Sequence, residues 1–520
     1  MSLVDQLDTV TDASAGTVDR HATTETFEST DPASGAVVGV FPVHDAEAVR
    51  ETVERARPAA EQWAALGFDG RRQRLAAYRG YLARRLNELA DLVHRENGKP
   101  HADAILEISL TIDHLAWAGA HARRTLGPRR VRAGMLAANH AAYLEYQPLG
   151  VIGVIGPWNY PVFTPMGSIG YALAAGNAVV FKPSEYTPAV GAWLAAAWRA
   201  AVPDVADAFQ VITGFGETGA ALCRAGVNKL AFTGSAPTGK KVMAACAENL
   251  VPVLMELGGK DAMIVADDAD VVAAADAAVW GSMSNGGQTC IGIERVYATS
   301  AVYDRFVAEV TAQERALRPG SDDEATYGPM TMPSQLDIVR RHVSEAAASG
   351  ARVVTGGTDD DAWTEAGAEK FARPTVLLDV PKEAAAIREE TFGPTLTITR
   401  VKDAEEALER ANATTYGLAG AVFSRSKNNA MDLARRMRTG MTSVNSVLTF
   451  ASVPALPFGG IGDSGFGRIH GEDGLKEFTR AKAITRQRVA LPVNLMSFGR
   501  PAKAADALAR VMGLVHGRHR

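Results

Sequence analysis

The feature that most constrains this chain is an alternation. Between Val151 and Glu256 five short apolar runs, VIGVIG, NAVVFK, AFQVIT, NKLAFT and VPVLME, are separated by segments of helical period such as PAVGAWLAAAWRAA and APTGKKVMAACAEN. Short apolar runs bounded by turn residues read as strands buried on both faces, and strands that alternate with helices read as a largely parallel sheet. A second alternation runs from about Asp267 to about Ser446, with strand candidates RVYAT, ARVVTG, PTVLLDV and AGAVFS. Upstream, His44 to Gly119 is mostly helical, with apolar residues at three- and four-residue steps, and AAYLEYQPLGVIGVIG marks the change to strand, turn, strand. No repeat of solenoid length is present. The predicted fold class is α/β with two large lobes, because 520 residues exceed what one core holds.

Composition excludes several partners. A net charge of -5 offers no footprint for nucleic acid. The most apolar stretch, around Val151 to Phe163, is broken by Gly153, Gly156 and Pro157, so no integral membrane segment is expected. MSLVDQLDTVTDASAG lacks a basic region followed by an apolar run and reads as a loose polar leader, which makes the expected location cytoplasmic. In a reducing compartment Cys223, Cys246 and Cys290 stay unpaired, and none has a metal-ligand spacing, so no metal is expected. Cys223 and Cys246 lie in helical apolar patterns and read as packing. From about Arg486 the chain turns basic, with a short amphipathic helix predicted after Pro501. A solvated or subunit-packing tail is the plain reading, and a substrate-entrance cover or membrane-surface contact are the alternatives.

Two glycine-rich turns compete as a phosphate cradle. GFGETG, Gly214 to Gly219, has the spacing of a dinucleotide fingerprint, but the next strand ends in Thr233 and Gly234 without the acidic residue that motif requires. Its backbone is left to lie against an adenine. FTGSAPTG is better placed: a strand ends in Gly234 and Ser235, a helix starts at about Ala236, and its free amides with the Ser235 hydroxyl suit a phosphate. FKPSE sets Lys182 and Glu185 just past another strand's C-terminal end, where ligands sit in open α/β sheets. Lys182 would donate to ribose hydroxyls and Glu185 accept from the 2'-OH. The same carboxylate would repel a 2'-phosphate, which favours NAD over NADP.

With these turns in place the chain resembles the aldehyde dehydrogenase superfamily from about Phe27 to Arg486, through GPWNYP, FKPSE, FTGS, MELGGK, GGQTC, EETFGP and PFGGIGDSGFGR in that order. The resemblance implies a Rossmann-like cofactor domain, an α/β catalytic domain and a small β oligomerisation arm. It makes Cys290 the nucleophile, Glu256 the general base and Asn159 the side chain that holds the oxyanion. It places Glu390 on the nicotinamide ribose and Phe392 against that end of the cofactor; Trp158, Gly216, Phe232 and Leu257 complete the expected cofactor contacts. The implied partition is a leader over 1–21, an NAD-binding domain over 22–128 and 149–258, and a catalytic domain over 259–448. The arm takes 129–148 and 480–495, with its late strand near Ala483 to Leu491; a return segment spans 449–479 and the basic tail 496–520. Homodimers or homotetramers are usual among similar proteins.

The chemistry asks for these residue types. Thiolate addition turns an aldehyde into a thiohemiacetal with a hydride-releasing carbon, and a positive environment is expected to raise the thiolate share of Cys290. Asn159 and the Cys290 N–H would hold the oxyanion, and Glu256, at a partly buried strand end, would activate water against the thioester. His470 has no unfilled proton-transfer role in this scheme, and the glycines of PFGGIGDSGFGR read as tight turns near the site. The aromatic neighbourhood of Trp158, Tyr160 and Phe163 leans toward a hydrophobic aliphatic or aromatic aldehyde. Succinate-semialdehyde oxidation, a CoA-acylating reaction and a non-catalytic scaffold are the alternatives; the last two are disfavoured by Glu256 and by the intact trio.

Overall fold

The computed structural model describes residues 25–357 and 370–517. The leader expected over 1–21 and the last three residues of the tail lie outside them. The chain divides into two compact units, Met1–Thr125 with Pro148–Thr479, and Leu126–Gln147 with Arg480–Arg520.

The first unit opens with a hairpin of β1 (Thr26–Thr30) and β2 (Val37–Pro42), then helices Ala46–Ala65, Gly67–Arg84, Leu86–Asn97 and His101–Leu126. The helix Ala46–Ala65 starts where the Asp45 side chain accepts the Ala48 N–H at 2.9 Å. It buries Val49, Val53, Ala56, Ala60 and Trp63, a stripe of alternating three- and four-residue steps. Trp63 fastens it to the sheet layer: its indole N–H donates to Leu173 O at 2.8 Å and its ring packs edge-on against Trp198.

Omitting for now β3 (Arg129–Val131) and β4 (His140–Pro148), the cofactor-side sheet holds β5 (Val151–Ile155), β6 (Ala178–Lys182), β7 (Phe209–Val211), β8 (Lys229–Thr233) and β9 (Val253–Glu256). These are the five strands predicted from the apolar runs. They are parallel, in the order β9-β8-β5-β6-β7. The chain winds from β5 outward to β7, then returns to β8 on the other side of β5. That reversal opens a crevice past the C-terminal ends of β5 and β8, the switch point at which α/β sheets bind ligands. GPWNYP follows β5 and FTGS follows β8, so both motifs border it.

The second sheet comprises β10 (Asp261–Val265), β11 (Ile293–Thr299), β12 (Arg352–Thr355), β13 (Thr375–Leu378), β14 (Thr395–Val401), β15 (Gly420–Phe423) and β16 (Ser443–Val444). Its order is β12-β13-β14-β11-β10-β15-β16, with β12 antiparallel and the rest parallel. The second alternation therefore begins at Asp261 rather than Asp267, and β10, β14 and β16 join the four predicted strands. Alternate residues feed two cores. Met263, Val265, Val296 and Ile398 pack with the helix Val271–Met283, while Ile264, Tyr297 and Val422 pack with helices Ala404–Asn412 and Lys427–Arg436. A short strand β17 (Gly465–Phe466) then returns to pair antiparallel with the edge strand β9, Gly465 opposite Glu256 and Phe466 opposite Met255.

The second unit is a three-stranded sheet in the order β18-β4-β3, with β18 spanning Thr479–Gln487. The expected late strand is thus displaced toward the N-terminus: past Gln487 the Arg488 N–H bonds Asn139 O at 2.8 Å, and Pro492 has no N–H to give a ladder. The predicted amphipathic helix is present as Lys503–His516 and buries no side chain.

Candidate active site

The loop carrying Cys290 is forced into shape by backbone contact. The helix Val271–Met283 runs into a turn, Ser284–Gly287, in which Asn285, Gly286 and Gly287 have φ of 54°, 64° and 71°. A Cβ on Gly287 would lie 2.1 Å from the carbonyl of Gly393, so the second glycine of GGQTC allows EETFGP to lie flush against the loop. Gln288 braces it, donating to Asn285 O at 2.8 Å and accepting the Thr331 N–H at 2.9 Å. Cys290 is half-buried just before β11.

Asn159 reaches the same loop from the turn after β5. Its Nδ2 donates to Gln288 O at 2.8 Å, which occupies one of two amide hydrogens and leaves the other for a ligand. Its carbonyl accepts from Lys99 Nζ at 2.9 Å and Asn285 Nδ2 at 3.0 Å. The neighbouring Tyr160 hydroxyl bonds Thr289 Oγ1 at 3.0 Å, and its ring lies 4.0 Å beneath the Lys99 ammonium.

Glu256 closes the third side at the C-terminal end of β9. It is 3 % exposed and neither carboxylate oxygen has a partner. Burial pushes its carboxyl well above the usual range, with the Arg468 guanidinium acting weakly the other way. Its nearest cover is PFGGIGDSGFGR: a Cβ on Gly459 would meet Glu256 Oε1 at 2.7 Å, and Arg468 is held by Gly460 O and Gly467 O. Gly459, Gly462, Gly465 and Gly467 all have positive φ, the tight turns expected of this motif. After β9 the chain passes against the Glu390 carboxylate and the Cys290 backbone carbonyl. A Cβ on Gly258 would lie 2.2 Å from Glu390 Oε2, and one on Gly259 would lie 2.6 Å from Cys290 O.

The surroundings of Cys290 differ from expectation. Burial and then the carboxyls of Glu390, Asp261 and Glu256 push the thiol up, the reverse of the positive environment predicted for it. The physical reason is burial first, and then the acidic side chains that folding gathers near the sulfur. Cys223 and Cys246 are buried and free, and the Cys223 thiol donates to Gly219 O at 3.2 Å.

The expected cofactor contacts divide between two places. Lys182, buried at the end of β6, donates to Pro183 O at 3.0 Å and stands 3.8 Å from Glu185, so it keeps donor capacity beside a carboxylate open to solvent. Burial lowers the Lys182 ammonium, partly offset by Glu185. Phe232 is the penultimate residue of β8; the Gly234 N–H bonds Glu256 O at 3.1 Å, and Ser235 caps the helix Ala236–Ala247 with its hydroxyl toward Thr238. Gly216 begins the helix Gly216–Arg224 on the surface, with open space where a Cβ would stand. Leu257 donates its N–H to Ser464 O at 3.1 Å. On the catalytic side Glu390 Oε1 accepts the Gly259 N–H at 2.9 Å, and burial pushes its carboxyl up to about 8. Phe392, at φ 52°, meets Trp158 edge-on at 5.5 Å. Trp158 therefore belongs with Phe392, whereas Phe163 packs edge-on against His114 at 5.2 Å. An ammonium with free donors near Glu185, and a second carboxylate oxygen on Glu390, fit two ribose diols, and the free amides at Ala236 fit a phosphate.

Sequence reading overlooked the supports beneath these residues. Glu107 accepts the Val162 and Phe163 N–H groups at 2.8 and 2.9 Å and pairs with buried Lys99. Lys260 pairs with Glu294, whose carboxylate also takes the Thr391 and Phe392 N–H groups. The available signal is a charge stranded in an apolar or glycine-rich run: Lys260 in MELGGK and Glu294 in CIGIERVY. His470 is 1 % exposed with neither ring nitrogen bonded, its ring 4.0 Å from that of His114.

Fold and crevice define an α/β oxidoreductase with a dinucleotide-type sheet beside a second α/β lobe. The aldehyde dehydrogenase family model matches residues 18–484, and the chain belongs to that family. It is 34% identical over 495 residues to 4,4'-diapolycopene aldehyde oxidase of Methylomonas sp, covering 95% of this chain and 92% of that one. It is 36% identical over 465 residues to glutarate-semialdehyde dehydrogenase of Pseudomonas aeruginosa, covering 88% and 94%. Among solved structures, an NAD-dependent aldehyde dehydrogenase from Sinorhizobium meliloti superposes with a TM-score of 0.86 at 32% identity, over 93% of this chain and 95% of that one. An NADP dependent enzyme of E. coli does so with 0.83 at 33%, over 89% and 95%.

Proposed function

We propose that this enzyme oxidises an aldehyde to the free carboxylic acid with NAD, through a thiohemiacetal and then a thioester on Cys290. The observation that carries the reading is that the Asn159 amide, with a spare hydrogen, bonds the loop of half-buried Cys290, whose thiol also feels the buried, unpartnered carboxyl of Glu256. Cys290 Sγ, its proton lost to solvent, adds to the carbonyl carbon as the carbonyl electron pair moves onto the oxygen. Asn159 Nδ2 and the Cys290 N–H hold the oxygen, and removing one such donor costs about a hundredfold to a thousandfold. NAD, when bound, supplies the hydride acceptor; Lys182, Glu185, Ser235 and Glu390 would hold it. Glu256 then takes a proton from water as the water oxygen attacks the thioester carbonyl, and the sulfur leaves.

Support for NAD over NADP is the Glu185 carboxylate beside Lys182. For the substrate, the aromatic run of Trp158, Tyr160 and Phe163 around Asn159 favours an apolar aldehyde. Similarity to an oxidase of 4,4'-diapolycopene aldehyde points the same way. An acidic semialdehyde is the second reading, favoured by the likeness to glutarate-semialdehyde dehydrogenase. A panel of short, long-chain, aromatic and acidic aldehydes scored by kcat/KM decides between them. The enzyme works in the cytoplasm as a homodimer or homotetramer, with the β18-β4-β3 arm as the subunit contact. Cys290→Ala abolishes NADH formation while NAD binding by calorimetry persists; retained turnover would remove the nucleophile assignment.

A further inference from the structure

The family match ends at residue 484, and the segment that follows is unlike the rest of the chain. Residues 488–520 carry Arg488, Arg500, Lys503, Arg510, Arg518 and Arg520 against Asp506 alone, in a protein whose net charge is -5. The apolar side chains of the same segment face outward. Met496 is 87% exposed and Phe498 107%, in the irregular stretch before the helix Lys503–His516. Within that helix Val511, Leu514 and Val515, at three- and four-residue steps, lie on one exposed face. Lys503 and Arg510, seven residues apart, fall together at the border of this face, with Asp506 one turn from each beside them.

We propose that this tail is a peripheral membrane-docking device whose partner is an anionic lipid surface. A helix with an apolar face, a basic border and no capacity to span lies in the headgroup layer, and exposed aromatic and Met side chains in the adjoining segment enter the acyl boundary. No described helix is long and apolar enough to cross a membrane. Charge selects the partner. An anionic leaflet neutralises the six cations that are set against Asp506 alone in this segment. Such docking suits an enzyme whose aldehyde partitions into lipid, but it does not rest on that reading, since the binding measurement needs no turnover.

The test is co-sedimentation of the full-length enzyme with phosphatidylcholine vesicles and with vesicles containing phosphatidylglycerol. Binding is expected to be at least about tenfold stronger on the anionic vesicles, and to fall steeply in about 0.5 M salt. Phe498→Ser and Leu514→Glu are each expected to weaken it about tenfold or more, while kcat/KM for a short water-soluble aldehyde and the mass by light scattering stay unchanged. Equal binding to both vesicles, or none, overturns the proposal. So does a variant that lowers the oligomeric mass, which assigns the tail to a second copy of the chain.

Discussion

Glu256 is a buried carboxylate with no hydrogen bond to either oxygen, whereas Glu107 accepts two backbone N–H groups, Glu294 two, and Glu390 one. A lone buried carboxyl titrates late, so its basic form, and with it thioester hydrolysis, is gained as the solution is made more alkaline. Glu256→Gln keeps the volume and removes the base. The expected outcome is a pre-steady-state burst of NADH of wild-type size followed by a steady state slower by about a hundredfold or more. An unchanged steady-state rate would exclude Glu256 as the sole base. The residues of this trio were legible because each stands in a motif of fixed order. The raised thiol of Cys290 was not, because it depends on carboxyls 29 to 100 residues away that only folding brings together.

At the scale of elements, the strands of the first sheet were legible because burial on both faces makes them near-continuous apolar runs. β10 was hidden by charges: DAMIV follows Lys260 and starts with Asp261, whose carboxylate accepts the Ala419 N–H at 2.9 Å. β14, TLTITRV, alternates threonine with apolar residues, though its first four side chains are all buried. The β1–β2 hairpin has only two buried side chains and left no pattern to read. The end of β6 sets cofactor choice in the proposed scheme. Glu185→Ser removes the carboxylate 3.8 Å from Lys182, and the NADP to NAD ratio of kcat/KM is expected to rise about tenfold. An unaltered ratio argues against the ribose contact.

The molecule as a whole carries a pH liability in its buried imidazoles. Burial lowers His114 to about 4 and His470 well below its ordinary value, the latter aided by His114 itself. In the unfolded chain each takes up a proton near pH 6.5 that the folded protein refuses, so the folded state keeps its full stability above that pH and loses it as pH falls. At pH 5 His114 contributes a loss of about 2 kcal/mol, and His470 adds to it in the same direction. The urea midpoint is therefore expected to drop between pH 7.5 and 5, and His470→Leu to make that drop shallower; an unchanged slope would show the pair titrating normally.

The clasp of β17 on β9 has a practical consequence. Two residue pairs, Gly465 with Glu256 and Phe466 with Met255, join the returning chain to the edge strand that bears the base. Strand ends of this length fray at temperatures that leave a sheet interior intact. Warmed preparations should thus fall silent while their circular dichroism is still native, and recover on cooling, so that storage life is governed by a seam of four residues rather than by the melting of either lobe.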